Sequence, residues 1–473
     1  MELNANSVLN ENASGITSDV EYILIPRSKV RTRLPELLLC SFGAIITISG
    51  YILTSLVDKD YIPEQAPTLL MFMVILVLIA HAATWILAPR ADATILPLSI
   101  LLNGVGFIII SRLNEDQAQA QALWTALGIV AFIGTLLVVK KVSLLHRYRY
   151  TFAFLGLFSI LLPELPFFGK EIYGARLWIK VGSFTFQPGE VAKVFLTIFI
   201  ASYLADTKEL LSNSRKKFGF INIPDIKYFG PLLVAWGTSI LVMVRQKDLG
   251  SSLLFFAVFS AMLYIATNRA SFLAFGILMF SGAAVIAYQL FGHVQTRFDT
   301  WLNPWPKSDK GGFQLIQSLF SFGTGGIKGT GLGLGTPQKI PLASSDFVFA
   351  AIGEELGFLG SCAIIITLFL LVASGFRIAI RANKGFSQIF AAGLTTILGI
   401  QSFIIIGGVT RVIPLTGLTL PFVSYGGSSL VANYVIVALL LRISNETAVD
   451  NIKNGTMIIP QKISKKFARS KGE

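Results

Sequence analysis

Apolar residues in this 473-residue chain fall into long blocks and do not alternate with polar ones. Ser41–Val57, Thr68–Ala88 and Gln121–Val139 are near-continuous apolar runs with few or no charges. Each is about as long as a helix needs to be to cross a hydrocarbon core roughly 30 Å thick. A water-soluble helix would show one apolar stripe and one polar face, and these runs do not. Twelve stretches qualify as spans: about 36–57, 68–89, 95–112, 121–139, 149–165, 189–205, 229–244, 251–268, 271–291, 347–375, 388–407 and 418–442. The stretches 149–165 and 229–244 are short and bounded by proline. Gly353, Gly357 and Gly360 interrupt 347–375, which predicts a tilt or kink there.

The polar intervals assign sides. With the intervals numbered alternately, 25 of the 39 Lys and Arg residues fall on the side of the N-terminus and 13 on the other; Lys193 lies inside a span. Positive charge collects on the cytoplasmic side of membrane proteins, so both termini are expected in the cytoplasm. The interval 292–346 is then external. It is far longer than a passive turn, and long ordered loops are usually functional. Its seven glycines between Gly323 and Gly335 read either as linker or as backbone that approaches a ligand closely. Phe313, Phe320 and Phe322 favour packed structure.

Composition agrees with the pattern. Hydrophobic residues make up 53% of the chain and charged ones 14%, against roughly a quarter charged in soluble proteins; mean hydropathy is +0.68. The net charge of +13 is mostly the side bias, and its dispersal over short loops suits anionic lipid and excludes a nucleic-acid surface. The first ~25 residues carry no apolar core before a cleavage site, so no cleavable signal peptide is expected. Cys40 and Cys362 lie in apolar segments and read as small hydrophobes, with no disulfide framework or metal spacing. His81, alone within a span, reads as a hydrogen-bonded packing residue. The phosphate-binding loop and the serine-hydrolase elbow are both missing, which removes ATP-driven and serine-hydrolase readings.

Charges at or inside spans are costly and default to functional hypotheses. Glu190 and Lys193 stand i, i+3 on one helix face and form either a self-neutralising pair or part of a site. Arg245-Gln246-Lys247-Asp248 is a charged outer turn that breaks the side bias and suits an anionic partner, or else pairs within itself. Glu354 and Glu355 point to different helix faces, so at least one should meet a cation. Arg411 and the run Ser424–Ser429, with Ser428, lie at the last two spans, where small residues can also serve helix packing.

Taken together, several blocks resemble the SEDS family (shape, elongation, division and sporulation). They are Gly174–Ile179 running into Gln187-Pro188-Gly189-Glu190, Lys247–Gly250, Trp301–Trp305, Gly312-Phe313-Gln314, Gly326–Gly333 with Lys328, Asp346-Phe347, Gly353–Gly357 and Pro414–Ser429. They cover about 170–442, in family order. The elongation branch is the nearer match, and the division branch shares most of the motifs. Family members usually have ten spans, so the resemblance implies an all-α polytopic membrane protein of about twelve helices. On this reading residues 1–35 form a cytoplasmic tail, 36–89 two added helices, 95–442 the family core with its external loop 292–346, and 443–473 a basic cytoplasmic tail.

The resemblance further implies a peptidoglycan glycosyltransferase of the bacterial cytoplasmic membrane. It would polymerise lipid II and work with a class B penicillin-binding protein among membrane lipids. A lipid-linked precursor flippase and a non-catalytic scaffold for the penicillin-binding protein are the competing readings. An inverting transfer needs a base for the acceptor hydroxyl and cations for the leaving pyrophosphate; a divalent ion, Mg2+ or Mn2+, can share the second task, though no ligands are assigned to it. The family's essential Asp sits in a loop close to Pro-x-x-Asp-Pro-x-Gly-x-Gly-Tyr-Gln. Here an ungapped match from Pro304 to Gln314 puts Lys307 in that column, and Asp309, two residues on, is the expected base, with Asp299 the second choice. Arg176, Glu190, Lys193, Arg245, Lys247, Asp248, Gln314, Lys328, Glu354, Glu355, Arg411 and Ser428 are the expected substrate-binding residues.

Overall fold

The computed structural model describes residues 33–453 except 167, 173–174, 183, 213–215, 219–220, 224–225, 308–311 and 384. The chain begins with α1 (Leu34–Lys59), α2 (Ala66–Leu87), α3 (Ile95–Leu113) and α4 (Glu115–Val138). A short α5 (Ser143–Arg147) and α6 (Arg149–Leu161) lead into an antiparallel meander, β1 (Gly169–Ile172), β2 (Ala175–Val181) and β3 (Phe184–Phe186). Then come α7 (Pro188–Ser212), a small hairpin β4 (Lys216–Phe218) and β5 (Ile221–Ile223), α8 (Ile226–Arg245), α9 (Leu249–Thr267) and α10 (Ala270–Leu290). The chain closes with α11 (Gly292–Leu302), α12 (Gly312–Gly325), α13 (Val348–Glu355), α14 (Gly357–Arg381), α15 (Gly385–Val409) and α16 (Gly427–Lys453).

Ten of these helices are long and apolar enough to cross a membrane: α1–α4, α7, α9, α10, α14, α15 and α16. The expected twelve are therefore not all of span length. The stretches 149–165 and 229–244 became α6, of 13 residues, and α8, whose apolar part is Gly230–Arg245. Two boundaries also move. The span expected at 347–375 is broken at Leu356 into α13 and α14. The span expected from 418 starts at Gly427, because 410–426 is irregular. The loop 292–346 contains α11 and α12 and is ordered structure through most of its length.

The break at Leu356 has a local cause. Gly357 adopts φ +67, and a Cβ on it would stand 2.2 Å from the Gly329 backbone N; a Cβ on Gly329, at φ +83, would stand 2.2 Å from Glu355 O. Only glycine permits this approach of the Gly-rich loop to the helix break.

One end of the bundle gathers the N-terminal side of the chain. The Arg33 guanidinium donates to Ala88 O (2.7 Å), Ala91 O (3.0 Å) and Pro89 O (3.2 Å), and it pairs with Glu36. Glu36 in turn meets His81 Nδ1 at 2.9 Å, so His81 is a hydrogen-bonded packing residue. Arg442 donates to Leu87 O (2.9 Å) and to Leu136 O. Two arginines thus lie on carbonyls at the C-terminal ends of α2 and α4, where helix dipoles favour cations. Arg90 N–H to Asn445 (2.9 Å) and Val142 N–H to Glu446 (2.6 Å) close the same end. The opposite end carries the meander, the 245–250 turn, the 292–346 segment and 410–426.

Candidate functional site

The second end of the bundle holds most of the charged residues singled out from sequence, and the structure sorts them into three groups. The first group lies at the head of α7. Lys193 Nζ stands 2.7 Å from Glu190 Oε2, both 3–4% exposed, and donates to Gln401 Oε1 at 2.9 Å. Gln401 on α15 donates to Thr419 O at 2.7 Å, which ties the pair to the irregular 410–426 segment above it. A buried cation in a membrane bundle needs such partners, and the i, i+3 spacing supplies one of them.

The second group surrounds Thr416 and Gly417. Arg297 on α11 donates from Nη1 to Thr416 O (2.7 Å) and Leu415 O (3.2 Å). A Cβ built on Gly417, exposed and at φ +78, would lie 3.6 Å from Asp346 Oδ2 and 3.8 Å from Arg297 Nη2. Asp248, in the α8–α9 turn, caps α9 by accepting from Ser251 N–H at 2.9 Å. Burial raises the Asp248 carboxyl above its usual range, against the pull of the Ser251 hydrogen bonds and Arg297; Glu190 adds to the rise. Burial likewise pushes Asp346 up to about 6, against the opposing pull of Arg297 and Ser345. Arg297 is lowered by burial, with Asp248 and Asp346 pulling it back. The His293 imidazole is lowered by burial, then by Arg297 and Lys247. Two carboxylates flank one guanidinium here, and Lys247 is exposed at the rim with φ +61.

The third group is architectural. Glu354 accepts from Ser321 Oγ (2.6 Å) and Thr336 N–H (2.6 Å); Glu355 accepts from Gly333 N–H (3.2 Å) and pairs with Arg112 at 3.4 Å. Both carboxylates are 1–3% exposed and hold the Gly-rich segment 326–339 in place. Arg411 donates to Trp301 O (2.8 Å) and Leu302 O (2.6 Å), at the C-terminal end of α11. Ser428 Oγ accepts from Gln187 N–H at 2.8 Å, which fixes the meander to α16. Asp299, the second choice as base, accepts from Tyr288 OH at 3.1 Å.

The remaining candidates scatter. Arg245 is exposed and 3.7 Å from Glu164. Arg176 is half-buried on β2, against Gly169. Gln314 is half-buried on α12 and Lys328 is exposed. Asp309 lies outside the described residues, as does the side chain of Lys307. Three residues were not singled out as site candidates: Arg297, Asp346 and Gln401. Gln401 had a signal, an amide in the middle of an apolar span. Asp346 had its place in a family block, and Arg297 its charge; that they come together across Gly417 is set by tertiary contacts.

Residues 94–449 match the family model of FtsW, RodA and SpoVE, described as cell cycle proteins. The peptidoglycan glycosyltransferase RodA of Mycobacterium tuberculosis is 41% identical over 421 residues, covering 87% of this chain and 90% of that protein. The protein of the same name from Mycobacterium leprae is 42% identical over 422 residues, with the same coverage. A probable peptidoglycan glycosyltransferase FtsW from Geobacter sulfurreducens is 33% identical over 376 residues, 75% of this chain and 95% of that protein. Among solved structures, a chain of a peptidoglycan synthase complex superposes with TM-score 0.63 at 24% identity, covering 75% of this chain and 98% of its own. The rod shape determining protein RodA of Thermus thermophilus gives 0.53 at 23%, covering 75% of this chain and 97% of its own. Fold, motif order and overall identity agree: the chain belongs to the FtsW/RodA/SpoVE family, the SEDS family of polytopic membrane proteins.

Proposed function

We propose that this chain is a peptidoglycan glycosyltransferase that polymerises lipid II at the outer face of the bacterial cytoplasmic membrane. The observation that carries the reading is the 41% identity to relatives named for that activity, across nine-tenths of their length. The site is compatible with it. The acceptor hydroxyl must lose a proton as it attacks the anomeric carbon, and the lipid pyrophosphate must leave from the opposite side, which inverts the centre. A positioned carboxylate contributes about 10²–10⁴-fold to such a step. Asp309 is the base on this reading. Lys247 and Arg245, at the rim of the same end, are suited to receive the pyrophosphate charge.

The same reading makes the end of the bundle that carries 292–346 external and both termini cytoplasmic, in line with the Lys and Arg bias. It takes a class B penicillin-binding protein as partner, to cross-link the strands. No three His, Cys, Asp or Glu side chains gather as a metal site among the described residues, so no step here is routed through a divalent cation. Purified protein incubated with lipid II tests the proposal: glycan polymer is the expected product. Transbilayer movement of lipid II in proteoliposomes without polymer would favour a flippase instead.

A further inference from the structure

The gap beside Gly417 has features that the reaction outlined above does not use. Arg297 commits Nη1 to two carbonyls, but Nη2 faces the space over Gly417, and Asp346 Oδ2 faces the same space. No ion pair within 4.0 Å joins Arg297 to Asp346 or to Asp248 among the described residues. A donor and an acceptor therefore look into one opening without satisfying each other. A β-carbon at position 417 would lie 3.6 Å from Asp346 Oδ2 and 3.8 Å from Arg297 Nη2, and the residue there is an exposed glycine at φ +78.

The charge balance selects the occupant. A phosphate would suit Arg297 but would be repelled by Asp346 and Asp248. An ammonium would suit the carboxylates but meet Arg297, with Lys247 and His293 beyond it. A neutral group that both donates and accepts satisfies both sides at once. A sugar hydroxyl is such a group: its O–H donates to Asp346, and its oxygen lone pairs accept from Arg297. The leaving pyrophosphate, by contrast, needs cations without adjacent carboxylates.

We infer that Asp346 and Arg297, across Gly417, form the subsite that holds a ring hydroxyl of the acceptor sugar. This rests on the glycosyltransferase reading. The subsite holds and orients the acceptor; Asp346 accepts the hydrogen bond and takes no proton. Gly417 keeps the opening clear for the sugar.

Steady-state polymerisation of lipid II by the purified full-length chain tests it, with Asp346→Ala, Asp346→Asn and Gly417→Ala. A hydrogen bond to a charged group lost from a bound substrate corresponds to about a 10- to 100-fold fall in kcat/KM. Asp346→Ala should show that fall mainly in KM. Asp346→Asn, which can still accept from a hydroxyl, should recover part of it. Gly417→Ala adds a methyl to the opening and strains the backbone at φ +78; with unfolding of the purified variant as the control for strain, it should raise KM as Asp346→Ala does. If Asp346→Ala does not yield folded protein, the Asp346→Asn and Gly417→Ala pair carries the test alone. Wild-type kcat/KM in folded Asp346→Ala, or in both of the other variants, overturns the subsite. A wild-type chain that makes no polymer overturns the glycosyltransferase reading and the subsite with it.

Discussion

Lys193→Met removes one partner from a contact whose geometry makes the cost calculable. Lys193 and Glu190 are 2.7 Å apart and 3–4% exposed, so water cannot replace the lost partner. Breaking a buried pair on one side typically costs about 3–5 kcal/mol, because a charge is left uncompensated. Gln401 Oε1 also loses its donor, and an orphaned buried acceptor adds about 1–3 kcal/mol. The single variant should therefore lose about 4–8 kcal/mol, with disorder spreading to Thr419 through Gln401. The double variant Glu190→Leu with Lys193→Met removes the stranded carboxylate. Replacing a buried pair with apolar side chains is often neutral. It should keep only the Gln401 penalty of about 1–3 kcal/mol. Unfolding of the detergent-solubilised protein, followed by tryptophan fluorescence against denaturant, measures both. The double variant should be more stable than either single. If it is as unstable as Lys193→Met, within about 0.5 kcal/mol, the stranded Glu190 carboxylate does not carry the cost and the reasoning is refuted.

Three further outcomes follow from other parts of the molecule. Asp309→Asn should reduce polymerisation by about 10²-fold or more at unchanged protein level, and Lys307→Asp, which restores the family column, should add little if Asp309 has taken over; wild-type rates in Asp309→Asn would move the base elsewhere. Asp346 should place an acid limb near pH 6 in kcat/KM, absent from Asp346→Asn, since burial pushes its carboxyl up to about 6 against the pull of Arg297 and Ser345. Stability should run the other way: the folded value lies above the unfolded value of about 3.9, so the fold binds more protons and gains stability as pH falls from 6 toward 4. Lys328→Cys, at an exposed position, should react with an impermeant thiol reagent in intact spheroplasts, and labelling only after lysis would reverse the orientation.

Asp346 and Gln401 mark the boundary between what the sequence determines and what it leaves to the fold. The apolar blocks placed all ten span-length helices, because burial in hydrocarbon is a property of local composition. The i, i+3 spacing of Glu190 and Lys193 was legible for the same reason: a helix brings those positions together by its own geometry. The break at Leu356 was foreshadowed by glycines, but its position depends on Gly329 approaching from another segment. The role of Glu354 was hidden because its partners, Ser321 and Thr336, lie 33 and 18 residues away. Arg297 on α11 and Asp346 in a turn meet only across Gly417, which lies in the irregular 410–426 segment, so no periodicity relates them. Membrane insertion is decided residue by residue along the chain. A site between loops depends on how those loops pack, and that depends on contacts far apart in sequence.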